Sequence, residues 1–207
     1  MMRQGVLIVI SGFSGAGKGT VVKRLMETNR YQLSISATTR KPREGEVDGR
    51  EYFFLSREEF LKRVSEGRFL EWAEYSGNCY GTPRDFVMKT MAGGRDVILE
   101  IEAQGALQVK EQFPAAGLIF LAAPSMEKLK VRLSGRGTES EEQVATRLAQ
   151  ARREIEQMHR YDYIVVNDDL DECVQRVEQI IETLHDRSGE KQALVGSLRE
   201  EAARMNL

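Results

Sequence analysis

Glycine, serine and lysine are concentrated in one short stretch, SGFSGAGKGT, at residues 11 to 20. Glycines let backbone N–H groups turn inward around phosphate oxygens, and a lysine adds a full positive charge that can follow a phosphoryl group in transfer. Gly12, Gly17 and Lys18 keep the spacing of a phosphate-binding loop, in which a Ser or Thr next to the lysine reaches a magnesium ion. Here Gly19 stands in that place, and the hydroxyl comes one residue later at Thr20. The stretch calls for a nucleoside triphosphate, ATP or GTP, while Gly19 argues against GTPases and motor ATPases that hold the metal directly through that hydroxyl. A kinase acting on a small phosphorylated acceptor tolerates the loss, because magnesium keeps most of its waters and is bridged by substrate phosphates. A second cluster lies in SATTRKPREGEVDGREYFF, residues 36 to 54, where Arg40 and Arg43 flank Pro42. Proline cannot continue a helix, so two guanidinium forks sit on a stiff extended or turn segment where both can meet one phosphate.

The elements that must hold these residues are legible around them. VLIVI at 6 to 10 is a short apolar run ending at the glycine-rich turn, as expected for a strand buried on both faces of a parallel sheet. Val21, Val22, Leu25 and Met26 follow at helix spacing, so strand, loop and helix come in the order a phosphate loop needs. DVILEIE at 96 to 102, LIFLAA at 118 to 123 and YIVV at 163 to 166 read as further central strands separated by helical pattern, which favours an α/β sheet. Between them, LSISAT, EYFFL and FLEWAEY are short strand candidates of a small mixed-sheet insertion. Ser56 with Glu59, and Ser140 with Gln143, have capping-box spacing. Val144, Leu148, Ala151, Ile155 and Met158 form one apolar stripe in a charged helical segment, and a last helix is expected over roughly 170 to 185. The tail beyond it carries a weak stripe through Leu194, Leu198 and Met205, and reads as a loosely docked or disordered extension.

Composition narrows the class. The 207 residues suffice for one core with insertions. With 30 Lys and Arg against 32 Asp and Glu, the net charge of -2 gives no bulk attraction to nucleic acid or to an anionic membrane, so anion binding must be local. Cys79 and Cys173 lack metal-ligand spacing and read as reduced thiols of a cytoplasmic protein, and no apolar run approaches membrane length. The two histidines, His159 and His185, read as surface residues, so a strong general base is not expected.

The acceptor stretch belongs to a longer ordered set: SxTTRxPRxGExxGxxYxF, FLEWAxxxGNxYGT, ILEIExQGA, RLxGRGTxSEE and IVVNDDL. GAGKGT is also the form that many nucleoside monophosphate kinases carry. In these motifs the chain resembles the guanylate kinases from residue 5 to about 185. The resemblance implies a three-layer α/β P-loop kinase fold with a central parallel sheet, a small mixed α/β GMP-binding insertion and a helical lid. It divides the chain into a core (5–32, 94–124 and 161–186), a GMP-binding region (33–93), a lid (125–160) and a tail (187–207). Gly12, Ser14, Gly15, Ala16, Gly17, Lys18, Gly19, Thr20 and Asn167 would hold ATP, although Asp168 and Asp169 beside Asn167 equally suit helix N-caps. Arg40, Arg43, Tyr52 and Tyr80 would hold the GMP phosphate. Ser36, Glu71, Thr82 and Glu102 would surround guanine, with Glu102 where the family usually has Asp.

The chemistry is consistent with that assignment. Guanine presents two adjacent donors, N1–H and the 2-amino group, which one carboxylate such as Glu71 can accept, whereas adenine offers a lone pair at N1; an unpaired buried polar group discriminates by a factor of roughly 10⁴. The GMP phosphate is itself the nucleophile, so catalysis reduces to aligning two polyanions and neutralising the charge between them. Lys18 and Arg40, with the lid arginines Arg132, Arg136 and Arg147, are the expected catalytic cations, and Mg²⁺ is expected to arrive with ATP. Glu100 ends an apolar strand, where it either orients magnesium through water or faces solvent. The expected reaction is ATP and GMP to ADP and GDP, with dGMP as a further acceptor. Two rivals stand beside it: a non-catalytic guanylate-kinase-like module that binds phosphopeptides, and a kinase for another monophosphate. No protein partner is implied, and a homo-oligomer stays open.

Overall fold

In the computed structural model, which describes residues 4–75, 77–135, 140–187 and 189–205, the apolar run near the amino terminus forms β1 (Leu7–Gly12), buried along its whole length. The chain turns through the glycine-rich loop into α1 (Lys18–Met26), which buries Val21, Val22 and Leu25. β2 (Tyr31–Leu33), β3 (Ala37–Thr38), β4 (Phe53–Phe54), α2 (Arg57–Ser65), β5 (Phe69–Tyr75) and β6 (Asn78–Pro83) follow. Then come α3 (Arg84–Ala92), β7 (Asp96–Glu100), α4 (Ala103–Gln112) and β8 (Gly117–Ala122). α5 (Met126–Ser134) and α6 (Glu141–Ile155) precede a 3₁₀ turn at Met158–Arg160, β9 (Tyr163–Val166), α7 (Leu170–His185) and α8 (Gln192–Arg204).

The strands form two sheets. Five run parallel in the order β2-β7-β1-β8-β9, and four make a smaller mixed sheet in the order β4-β3-β6-β5. Parallel strands need helices on both faces, which explains why β1, β7 and β8 are apolar runs rather than alternating ones. One main core joins the five-stranded sheet to its helices, and a second small cluster of Ala37, Phe60, Phe69 and Cys79 sits under the mixed sheet. The Phe60 and Phe69 rings stack at 4.5 Å there. Because all five large-sheet strands point the same way, the loops after β1, β7, β8 and β9 emerge at one edge, where ligands bind in open α/β sheets.

The structure redraws several sequence boundaries. LSISAT is not one strand: Leu33 ends β2, paired with Ile98 in the large sheet, and Ala37 opens β3 in the small one. DVILEIE stops at Glu100, because Glu102 is already the residue before α4. EYFFL joins the small sheet at Phe53 and Phe54, while Tyr52 makes an isolated bridge to Asp48. α3 lies within the 33–93 segment, yet Val87 and Met91 belong to the main core. Ser140 and Gln143 form the full reciprocal capping box, whereas Ser56 caps α2 alone, since the Glu59 carboxylate turns to Arg63. Over Gln192–Arg204 the tail is a helix with no buried residue, and Leu194, Leu198 and Met205 are exposed. Both cysteines are free and buried; burial pushes the Cys173 thiol up to about 11. Among the described residues no helix is long and apolar enough to cross a membrane.

His185 departs most from expectation. It is buried, because it shares a helix face with Val177 and Ile181, and its Nε2 lies 2.9 Å from Oδ1 of buried Asp96. The same oxygen accepts the Val6 N–H at 3.0 Å, so Asp96 ties α7, β7 and the entry to β1 together. Asp96→Ala leaves a buried donor unpaired and is expected to lower unfolding stability by about 2–3 kcal/mol, read as a fall in the urea midpoint at unchanged slope.

Candidate active site

The phosphate loop is shaped by backbone. Gly17, at the N-cap of α1, adopts a left-handed conformation with φ 91°, and a Cβ there would come within 2.5 Å of Asn167 Nδ2. Asn167 is buried just beyond β9 and donates from that nitrogen to the Ala16 carbonyl at 2.8 Å, so the β9 end latches the loop from outside. Lys18 folds back over the loop, with Nζ donating to the Gly12 carbonyl at 2.6 Å and the Phe13 carbonyl at 3.2 Å. Gly19 is under no such backbone or steric demand. It lies inside the first turn of α1 with no positive φ, and its Cβ position would be 3.6 Å from Oε1 of Glu100 at the end of β7. A methyl group there would make ordinary van der Waals contact with the carboxylate. The Glu100 side chain reaches solvent, yet the surrounding protein pushes its carboxyl above the usual range by desolvation, opposed by Lys18 and reinforced by Glu102.

A cleft of about 480 Å³ opens beside the loop, lined among others by Gly15, Gly17, Thr20, Arg132 and Asn167. Arg132 reaches it from α5 and donates to the Asn167 carbonyl at 2.7 Å, with Asp168 Oδ1 at 3.9 Å. Lys128, one turn earlier, binds both oxygens of Asp168 at 2.7 and 2.9 Å. Asp169 caps α7 by accepting the Glu172 N–H, so of the two aspartates one caps and the other pairs. Arg147 crosses from α6 and donates to the Ser14 hydroxyl, which joins the helical segment to the phosphate loop. Arg136 lies outside the described residues.

On the small sheet the other expected residues converge. Arg40 follows β3, its backbone N–H held by the Thr38 hydroxyl at 3.1 Å, while Thr38 in turn donates to the Cys79 carbonyl. Its guanidinium stands over the rings of Tyr52 and Phe54, 5.4 and 5.9 Å from their centroids, and the Tyr52 and Tyr80 rings are 6.2 Å apart. Glu46 accepts from Arg40 at 2.8 Å and from the Arg43 backbone N–H at 2.7 Å; those bonds hold its carboxyl below the usual range and raise the Arg40 guanidinium. The Arg43 side chain is exposed beside this group, and Ser36 is half-buried, its carbonyl bound by the Phe53 N–H. Glu46 was not singled out from the sequence. Its signal was an acid three residues after Arg43 and six after Arg40.

Glu71 and Thr82 face each other across β5 and β6, and both are buried. The Thr82 hydroxyl donates to Glu71 Oε1 at 2.6 Å, so its remaining lone pairs, like those of Oε2, are acceptors. Burial pushes the Glu71 carboxyl up, and hydrogen bonding from Thr82 opposes the shift. Glu102 stands exposed at the N-cap position of α4 but makes no side-chain cap bond, which leaves its carboxylate for other partners. Glu154 was also missed in the sequence. It is buried near the end of α6, accepts from Gln150 at 2.9 Å, and is pushed up by burial. Among the described residues no group of three His, Cys, Asp or Glu side chains converges as a metal site.

A loop for triphosphate beside a separate sheet carrying arginines, tyrosines and a buried acceptor pair is the geometry of a two-substrate phosphotransferase. The family model described as guanylate kinase matches residues 4–184. The chain belongs to the guanylate kinase family. The guanylate kinase of Bacillus cereus is 54% identical to it over 187 residues, covering 89% of this chain and 91% of that one. That of Caldanaerobacter subterraneus subsp. tengcongensis is 50% identical over 201 residues, covering 97% and 98%. The crystal structure of guanylate kinase from Anaplasma phagocytophilum superimposes with a TM-score of 0.69 at 34% identity, covering 90% of this chain and 89% of that one.

The direction of the Glu71 shift sets a stability prediction. A carboxyl raised in the folded state leaves stability intact at low pH and lowers it as pH rises through the ordinary carboxylate range, about 4.3 for Glu, because the unfolded chain ionises first. Glu71→Gln removes that cost. It is expected to melt higher than the parent at pH 7 to 8, with the gain vanishing on acidification below the ordinary carboxylate range. Thermal scans across pH check this.

Proposed function

We propose that the chain transfers the γ-phosphoryl group of ATP to GMP, and also to dGMP, giving ADP and GDP. What carries the reading is the buried Glu71–Thr82 pair, which offers only acceptors on the sheet that also carries Arg40, Tyr52 and Tyr80. Guanine's adjacent N1–H and 2-amino donors match such a surface and adenine's N1 lone pair does not. In this reading Ser36 and Glu102 complete the base site, while Arg40, Arg43 and the two tyrosines bind the phosphate. Gly12, Ser14, Gly15, Ala16, Gly17, Lys18, Gly19, Thr20 and Asn167 hold ATP.

A GMP phosphate oxygen attacks the γ-phosphorus as the bond to the β–γ bridging oxygen breaks, and that oxygen leaves with the electron pair on ADP. Lys18, Arg132 and Arg147, with Arg136, neutralise the charge that gathers between the two nucleotides. Segment 125–160 acts as the lid and 33–93 as the GMP-binding region, and closure excludes competing water. Mg²⁺ enters with ATP. The residues suit an ion held through water: the exposed Glu100 carboxylate lies beside Gly19, and the next residue, Thr20, lines the cleft. Held there with the nucleotide, the ion would lower the negative charge on the phosphate oxygens.

Two measurements test the proposal. Coupled assay of ADP release with GMP, dGMP, AMP, CMP and UMP as separate acceptors is expected to show turnover with the two guanine nucleotides and weak turnover with the rest; GMP binding without ADP release, or stronger AMP use, overturns it. Glu100→Gln is expected to raise the Mg²⁺ concentration for half-maximal rate by roughly tenfold, as loss of an outer ligand does, with KM for GMP unchanged.

A further inference from the structure

Glu71 sits on β5, the edge strand of the small sheet, so only β6 pairs with it inside that sheet. On its other side lies α4. There the Gln108 side chain accepts the Trp72 N–H and donates to the Trp72 carbonyl, both at 3.1 Å. A single side-chain amide thus supplies the two bonds that a neighbouring strand would make, at the residue next to Glu71. One helical turn earlier, Gly105 leaves a notch for the carboxylate: a Cβ there would lie 2.8 Å from Glu71 Oε2 and 3.3 Å from Cδ. Alanine is preferred over glycine inside a helix, so α4 by itself has no need of glycine at this position. The same helix begins directly after Glu102, the other carboxylate of the base site.

We propose that Gly105 and Gln108 are specificity-positioning residues, α4 acting as a clamp on the β5 backbone and a seat for the Glu71 carboxylate. This rests on the reading of Glu71 as the guanine acceptor. Gln108 sets the height of the strand edge, and Gly105 sets how deeply the carboxylate lies. A side chain at 105 drives Oε2 out of its seat and misaligns it with N1–H and the 2-amino group. Neither residue touches the phosphate loop, so the effect falls on the acceptor alone.

The test compares Gly105→Ala, Gln108→Ala, Glu71→Gln and the Glu71→Gln/Gly105→Ala double variant by steady-state ADP release with GMP and AMP. Each single α4 variant is expected to raise KM for GMP by ~10- to 100-fold, the scale of a misplacement near 1 Å, with KM for ATP unchanged. Selectivity for GMP over AMP falls in parallel. Gly105→Ala is expected not to lower the melting temperature, and in the Glu71→Gln background to add no further loss. Gln108→Ala, which changes no buried volume beside the carboxylate, keeps the test decisive if the alanine at 105 disturbs folding; Trp72 fluorescence, the only tryptophan signal, reports the strand edge directly. Wild-type KM for GMP in both α4 variants, or an undiminished extra loss in the double variant, overturns the inference while leaving Glu71 in place. Unchanged GMP over AMP selectivity in Glu71→Gln removes the guanine reading and this inference with it.

Discussion

β1 is hydrogen-bonded to β7 on one side and β8 on the other, and its residues have no exposure to spare. Everything on the triphosphate side depends on that double pairing. A strand held along both edges and covered on both faces cannot shift, so the loop leaving it starts from a fixed point. β7 delivers Glu100 opposite Ile10, β8 leads into the helix that carries Arg132, and β9 delivers Asn167. The parallel register brings these ends to one edge of the sheet, and Asn167 then bonds back to Ala16, which closes the circuit.

The cations around this edge share a property. Lys18 is held by backbone carbonyls, Arg132 by the Asn167 carbonyl, Arg147 by the Ser14 hydroxyl and Arg40 by Glu46. Most of these acceptors are neutral. A phosphate oxygen forms shorter, charge-assisted bonds, so in the proposed reaction nucleotide phosphates would outcompete them without the arginines having to be found and ordered first. Preorganisation of this kind is what charge-neutralising catalysis requires. The small sheet answers a separate demand. It holds a carboxylate in a place where burial raises the carboxyl's pKa, and the bonds from Thr82 on one side and the α4 seat on the other keep it aimed.

Much of this was legible residue by residue. GAGKGT before a helix, Arg40 and Arg43 about Pro42, and the apolar runs of β1, β7, β8 and β9 announce themselves, because glycine turns, proline and unbroken apolar strands are local chemistry. Boundaries were weaker. LSISAT splits between two sheets, since three or two residues suffice for a strand when another strand is already there to pair with, and a short run carries no sign of its partner. His185 read as a surface residue because a charged stretch surrounds it, and only the position of α7 over Asp96 makes it buried. Glu46, Gln108 and Glu154 were passed over for the same reason, as polar side chains whose partners lie elsewhere in the fold.

Sequence alone determined the class of fold, the glycine-rich loop between strand and helix, and the family, since each is written in short-range spacing and residue type. Tertiary structure decided why particular residues have the identity they do. Gly17 yields to Asn167, and Gly105 makes room for Glu71. Such contacts join segments far apart in the chain, and they depend on which helix comes to rest against which strand edge. That choice is made by the packing of the whole molecule, and no local pattern encodes it.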